Sequence, residues 1–186
     1  MLLSAYEQGL FPWYNEDDPI YWHSPDPRLL IFPDSLHVSK TMRKILKKEK
    51  FIITINKNFD EVIKACAQTF RPDQGGTWIT DDMIQAYNDL HMLGWAYSAE
   101  ARINERLVGG CYGIRIGNVF FGESMFSLTP NASKAAFISL AQKLFKDGAA
   151  FIDCQLPTPH LESLGGVQIS RNEYLKLLKE TLTPQE

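Results

Sequence analysis

The chain has 186 residues, 45% of them hydrophobic, and a formal net charge of -3. That size fits one core domain with at most a small appendage, and the charge predicts neither nucleic-acid nor membrane binding by itself. No apolar run approaches the roughly 18 residues of a membrane helix, and no signal-peptide pattern opens the chain.

Residues 2–8 read as the last turns of a helix stopped by Gly9. Two aromatic stretches follow, Phe11-Pro12-Trp13-Tyr14 and Tyr21-Trp22-His23-Ser24-Pro25-Asp26-Pro27-Arg28. The prolines oppose regular structure, so this loop is either a lid over a core or a stacking surface for flat ligands. Residues 29–32 predict a strand. Ser39 is suited to cap a helix in which Lys40, Arg43, Lys44, Lys47 and Lys48 share one face, away from Val38, Met42, Ile45 and Leu46. Such a stripe is either a solvated face or a phosphate-binding one, whatever the net charge. A strand over 51–55, a helix over 59–67 and a polar loop over 69–76 come next. Thr80 then caps another helix, which ends before Gly94.

Residues 95–103, 106–116 and 119–126 form three apolar runs joined by Asn104-Glu105 and Gly117-Asn118, the pattern of an antiparallel meander. A helix over 133–147 leads to a buried strand over 149–155, a helical turn over 161–164 and a short strand over 167–169. Ser170-Arg171-Asn172-Glu173 is a capping box opening the last helix. The order predicts an α/β (α+β) domain with a mixed sheet and flanking helices.

Two strands carry polar groups where a packed core would refuse them. In Phe121-Gly122-Glu123-Ser124-Met125-Phe126, alternation puts Glu123 on one face with Phe121 and Met125. In Phe151-Ile152-Asp153-Cys154-Gln155 it pairs Asp153 with Gln155. A buried carboxylate needs a partner, so each acid either faces a cleft or meets a cation or helix cap inside the protein. Cys66, Cys111 and Cys154 are widely spaced in apolar surroundings and are expected as free, buried thiols of a reducing, cytoplasmic protein. His23, His37, His91 and His160 show no ligand spacing, so no metal site is expected.

The element order resembles the N-acetyltransferase (GNAT-like) superfamily. Its coenzyme A version places a glycine turn before the central helix. Here Arg106-Leu107-Val108-Gly109-Gly110-Cys111 lies inside a strand and the stretch 127–133 has no glycine, which disfavours coenzyme A.

Eight motifs in order resemble the leucyl/phenylalanyl-tRNA–protein transferase family. They are Phe11-Pro12-Trp13, Ser24-Pro25-Asp26-Pro27-Arg28, Gly76-Thr77-Trp78-Ile79-Thr80, Val108-Gly109-Gly110, Gly122-Glu123-Ser124-Met125-Phe126, Ala132-Ser133-Lys134, Ile152-Asp153-Cys154-Gln155 and Ser163-Leu164-Gly165. The resemblance implies transfer of leucine, phenylalanine or methionine from its tRNA to proteins with N-terminal Arg or Lys, marking them for N-degron degradation. Aminoacyl-tRNA is then a co-substrate, with no cofactor, metal or membrane involved.

Asp153, Gln155 and Glu123 match the family's catalytic positions. Asp153 is expected to take the amine's proton or to position substrate while Gln155 orients the carbonyl. Phe120, Met125, Phe137, Leu144, Ile152 and Cys111 match the aminoacyl side-chain pocket, with Cys111 where the family often has the larger methionine. Trp13 and Trp78 match adenosine-stacking tryptophans, and the stripe from Lys40 to Lys48 becomes a candidate for tRNA phosphates. Residues 1–26 are expected as the remnant of a small N-terminal domain, and 27–186 as the GNAT-like catalytic domain. Three departures stand out. Many family members carry roughly thirty more residues ahead of the Ala-Tyr-x-x-Gly helix with which this sequence opens, Tyr97-Ser98 replaces a common His-Ser, and Leu128 replaces a common arginine. Competing readings are a related aminoacyl-tRNA-dependent transferase with another amine acceptor, and a non-catalytic tRNA-binding module.

Overall fold

A computed structural model describes residues 1–14, 18–69 and 79–183. Trp78 and most of the polar loop predicted over 69–76 lie outside the described residues. In chain order the elements are α1 (Leu2–Glu7), β1 (Phe11–Pro12), β2 (Trp22–His23), β3 (Arg28–Ile31), α2 (Lys40–Lys47), β4 (Ile52–Ile55), α3 (Phe59–Ala67) and α4 (Asp81–Met92). They continue as β5 (Ala96–Ile103), β6 (Arg106–Ile116), β7 (Val119–Ser127), α5 (Ala132–Lys146), β8 (Phe151–Asp153), α6 (Pro159–Glu162), β9 (Val167–Ile169) and α7 (Arg171–Leu182). Seven strands form a mixed sheet in the order β4-β5-β6-β7-β8-β3-β9. β7 and β8 run parallel, while β3 pairs antiparallel with both β8 and β9.

Two expectations need correction. The aromatic stretch contains regular structure after all, since Phe11–Pro12 and Trp22–His23 pair as a small antiparallel ladder. Proline blocks a ladder only where its missing N–H would be used, and Pro12 takes part at the end of a two-residue strand. The strand predicted over 149–155 is shorter, Phe151–Asp153. It stops where the Asp153 side chain accepts the backbone N–H of Gln155, whose φ is +64°. A carboxylate competing for a nearby main-chain donor is a common reason for regular structure to end. Asp153 and Gln155 therefore do not alternate along one strand.

The residues group into two compact units. One comprises Met1–His37, Arg115–Gly122 and Leu144–Glu186. Its core includes Tyr6, Leu29, Leu30, Ile31, Phe120, Phe121, Phe151 and Ile152. Register places Leu30 and Phe121 on either side of Asp153. Ser170 and Glu173 form the predicted capping box, and the Ser170 hydroxyl and backbone N–H hold the Glu173 carboxyl below the usual range. That start fixes α7 so that Tyr174, one turn in, is buried.

The second unit comprises Val38–Ile114 and Glu123–Lys143. Ser39 and Thr80 cap α2 and α4 through the N–H groups of Met42 and Met83. Gly109 on β6 has a steric cause. A Cβ there would fall 2.6 Å from the Ala132 Cβ and 2.8 Å from the Ser133 nitrogen, so only glycine lets the first turn of α5 approach the strand. Glu100 on β5 is wholly buried, and its donors are the hydroxyls of Ser98 and Thr54 and the Asn58 N–H at the start of α3. Three donors and a helix N-terminus replace the water that this carboxylate gives up.

Candidate active site

Asp153 sits at the centre of a dense set of polar bonds in the first unit. Arg28 donates to both oxygens, from Nε to Oδ1 at 2.8 Å and from Nη2 to Oδ2 at 2.7 Å. The Tyr174 hydroxyl donates to Oδ2 at 2.6 Å, and the Gln155 N–H to Oδ1 at 2.9 Å. Arg28, Asp153 and Tyr174 each have 0% of their surface exposed. A carboxylate offers about four lone-pair sites, and here all four are taken. Such saturation offsets the loss of water around a buried ion pair, and it leaves no open acceptor for an arriving amine.

The surroundings of Arg28 complete this arrangement. Its guanidinium carbon sits 4.4 Å from the Tyr174 ring centroid and 5.0 Å from that of Phe11, and Nη1 donates to the Gly9 carbonyl at 3.3 Å. Gly9 is needed on two counts. Its φ is +76°, and a Cβ would lie 2.9 Å from Tyr174 Cε1. Burial, then the Asp153 charge, push the Tyr174 phenol well above the ordinary tyrosine range, so it stays a donor at neutral pH.

Gln155 is buried in the left-handed region, its carbonyl accepting from the Leu29 N–H at 3.2 Å. Cys154, Cys111 and Cys66 are all free and buried, as their apolar surroundings led us to expect. Burial, then the Asp153 charge, raise the Cys154 thiol far above its usual value. Burial, then Cys66 and Glu100, do the same to Cys111. Neither supplies a thiolate at neutral pH.

Glu123 belongs to the second unit and is half-buried, and the Tyr87 hydroxyl donates to its Oε2 at 2.9 Å. Tyr87 itself is buried on α4, edge-on to Tyr112 with ring centroids 5.6 Å apart. The six positions expected to line a side-chain pocket divide between the units. Phe120, Leu144 and Ile152 are buried in the first, whereas Cys111 and Phe137 are buried in the second with Met125 half-exposed.

Trp13, in the first unit, is half-buried with its ring centroid 5.7 Å from that of His23, whose Nε2 lies 2.9 Å from the Trp13 carbonyl oxygen. Trp78 lies outside the described residues. Lys40, Arg43, Lys44 and Lys47 on α2, and Lys48 just past its end, are all exposed, while the buried residue of α2 is Met42. Leu128 is exposed. Among the described residues no group of three or more His, Cys, Asp or Glu is gathered to hold a metal ion, and no helix is long and apolar enough to cross a membrane.

Sequence reasoning passed over Arg28, Tyr174 and Tyr87 as partners of the acids. A signal existed for the first, because an aspartate in an apolar strand demands a cation. Nothing local singled out Arg28, which lies 125 residues from Asp153.

The family model described as leucyl/phenylalanyl-tRNA protein transferase matches residues 30–179, and the model of its N-terminal domain matches residues 1–26. A protein of that name from Flavobacterium johnsoniae is 54% identical over 175 residues, covering 94% of this chain and 82% of its own. Another, from Lawsonia intracellularis, is 51% identical over 182 residues, covering 98% of this chain and 80% of its own. A conserved Staphylococcus epidermidis protein of unknown function shares the fold, with TM-score 0.52 at 13% identity over 91% of this chain and 63% of its own. The matched residues include Glu123, Asp153 and Gln155, and the chain belongs to the leucyl/phenylalanyl-tRNA–protein transferase family.

Proposed function

We propose that this protein transfers leucine, phenylalanine or methionine from aminoacyl-tRNA to the N-terminal Arg or Lys of acceptor proteins, forming a peptide bond that marks them for N-degron degradation. The observation that carries the reading is the family match across residues 30–179, which includes both strand motifs with their acids. The aminoacyl ester is already activated, so the reaction asks for placement, oxyanion stabilisation and one proton movement, with no added cofactor. The acceptor amine attacks the ester carbonyl, the bond to the ribose oxygen breaks, and a proton from the amine ends on that oxygen. An α-amino group has a pKa of about 8, so a neutral fraction is present without a strong base.

Within this reading Gln155 orients the carbonyl, and Glu123 holds a ribose hydroxyl, the amino group of the esterified residue or the basic N-terminal residue of the acceptor. Asp153 acts as an anchor, because its four bonds leave it nothing to offer the amine. Phe120, Leu144 and Ile152 of the first unit, and Met125, Phe137 and Cys111 of the second, match the family's side-chain-selecting positions, Trp13 and Trp78 match its adenosine-stacking ones, and α2 meets phosphates of the acceptor stem. Stacking of this kind contributes on the order of 1–3 kcal/mol per base.

The sheet is GNAT-like, a reading supported by a parallel β7–β8 pair with α5 between those strands in sequence. Residues 1–26 stand for the family's N-terminal domain and 27–186 for the catalytic one. The setting is the cytoplasm, in keeping with three free thiols.

The test is transfer of labelled leucine from charged tRNA to peptides beginning with Arg, Lys, Asp or Ala. Labelling confined to the Arg and Lys peptides is expected. Labelling of the Ala or Asp peptide to the same extent, or of none, would overturn the reading.

A further inference from the structure

We propose that Arg28 and Tyr174 are positioning residues for transfer, acting through Asp153 to hold Gln155 in its left-handed backbone conformation. The inference rests on the reading that the Gln155 amide meets the substrate. A residue with a Cβ occupies φ +64° only when its surroundings over-determine it. Three bonds do so here. The Gln155 N–H donates to Asp153 Oδ1 at 2.9 Å, its carbonyl accepts from Leu29 N–H at 3.2 Å, and the preceding Cys154 N–H donates to the Leu29 carbonyl at 2.8 Å.

The first of these is only as firm as the Asp153 carboxylate. Left alone, that carboxylate would turn about its side-chain torsion. The Arg28 fork sets its plane with two parallel bonds, and the Tyr174 hydroxyl engages Oδ2, the oxygen that Gln155 does not use. Each partner is itself confined. The Arg28 guanidinium packs over the rings of both Tyr174 and Phe11, and Tyr174 is one turn into a helix whose start is fixed by a capping box. A path of direct contacts thus runs from α7 and β3 to the main chain of Gln155, and none of these three side chains has a free face. The physical requirement is sub-ångström placement of the amide, for which small displacements remote from the reacting atoms cost rate more than affinity.

Tyr174→Phe removes a single oxygen and keeps the ring beside Arg28. The test is a double-mutant cycle of Tyr174→Phe with Gln155→Ala, read as single-turnover transfer of leucine to an Arg-initiated peptide, with thermal unfolding followed in parallel. Tyr174→Phe is expected to lower the turnover constant roughly tenfold and to change KM for charged tRNA little. In the Gln155→Ala background the same substitution is expected to change it by less than about twofold. Arg28→Lys, which keeps the charge and loses the fork, is expected to repeat the pattern and serves where Tyr174→Phe folds poorly. Effects that multiply in full across the cycle would overturn the proposal while leaving Gln155 as a working residue. If Gln155→Ala transferred at the wild-type rate, both this proposal and that role for Gln155 would fall.

Discussion

Asp153 has no exposed surface and receives four donors, one pair from an arginine, whereas Glu123 is half-buried and receives the hydroxyl of Tyr87. Both acids sit among aromatic and aliphatic strand residues, and both match the same family. The difference teaches that a charge in an apolar strand has two quite separate uses. Where a cation and hydroxyl close over it, the acid is part of the framework. Where it keeps access to solvent, it is available to a ligand. The first unit holds the closed Arg28–Asp153–Tyr174 group, while the second carries an exposed basic helix beside its own closed acid, Glu100.

The largest effect that sharpens this comparison is on stability. Arg28→Ala leaves the Asp153 charge buried without its cation and is expected to cost about 3–5 kcal/mol in urea unfolding. The paired change Arg28→Met with Asp153→Leu should recover most of that loss while transfer stays impaired. Glu123→Gln should stay within about 0.5 kcal/mol of wild type yet slow transfer on the order of a hundredfold. Equal destabilisation by Arg28→Ala and Glu123→Gln would erase the distinction.

A smaller effect concerns the open side. Reversing charge at Lys44 and Lys47 should weaken tRNA binding about tenfold at low salt. It should also flatten the salt dependence, by roughly one unit of slope for each phosphate that the helix no longer neutralises. Filter binding across a salt series reads both. Unchanged affinity at low salt would make the stripe a solvated face.

A further effect belongs to the closed side and appears only in alkali. Cys154 and Tyr174 are held protonated in the fold above their ordinary values of 9.0 and 10.0. Below those values both states carry the proton and neither group affects stability. Above them the unfolded chain has lost protons that the native chain keeps, so stability falls as pH rises, by about 1.4 kcal/mol per pH unit for each group. Urea unfolding between about pH 8 and 11 should show this decline, and Tyr174→Phe should make it shallower. A flat alkaline limb would mean that these groups reach solvent.

Features decided within one turn of chain were legible in the sequence. The caps at Ser39, Thr80 and Ser170 and the helix over Phe59–Ala67 depend on neighbours a few residues away. The basic face of α2 was equally plain, since charge spacing on a helix sets exposure directly. What stayed hidden was pairing across long separations. Phe11–Pro12 finds Trp22–His23 through an intervening loop, and Arg28 finds Asp153 through β3 lying beside β8. The alternation that put Asp153 and Gln155 on one strand face assumed a regular strand, and the Asp153 side chain ends it by capturing the Gln155 N–H. Resemblance to a family named candidate site residues, but their bonding, which sets the closed Asp153 apart from the half-buried Glu123, depended on the three-dimensional arrangement.

The central claim is that Asp153 anchors and does not accept the amine's proton. It is tested most directly by the pH dependence of the single-turnover transfer rate for Asp153→Asn beside wild type. The account predicts a rate lowered by a constant factor, with both curves rising over the same pH range as the acceptor amine loses its proton. A wild-type acid limb that disappears in Asp153→Asn would contradict it and make Asp153 the base.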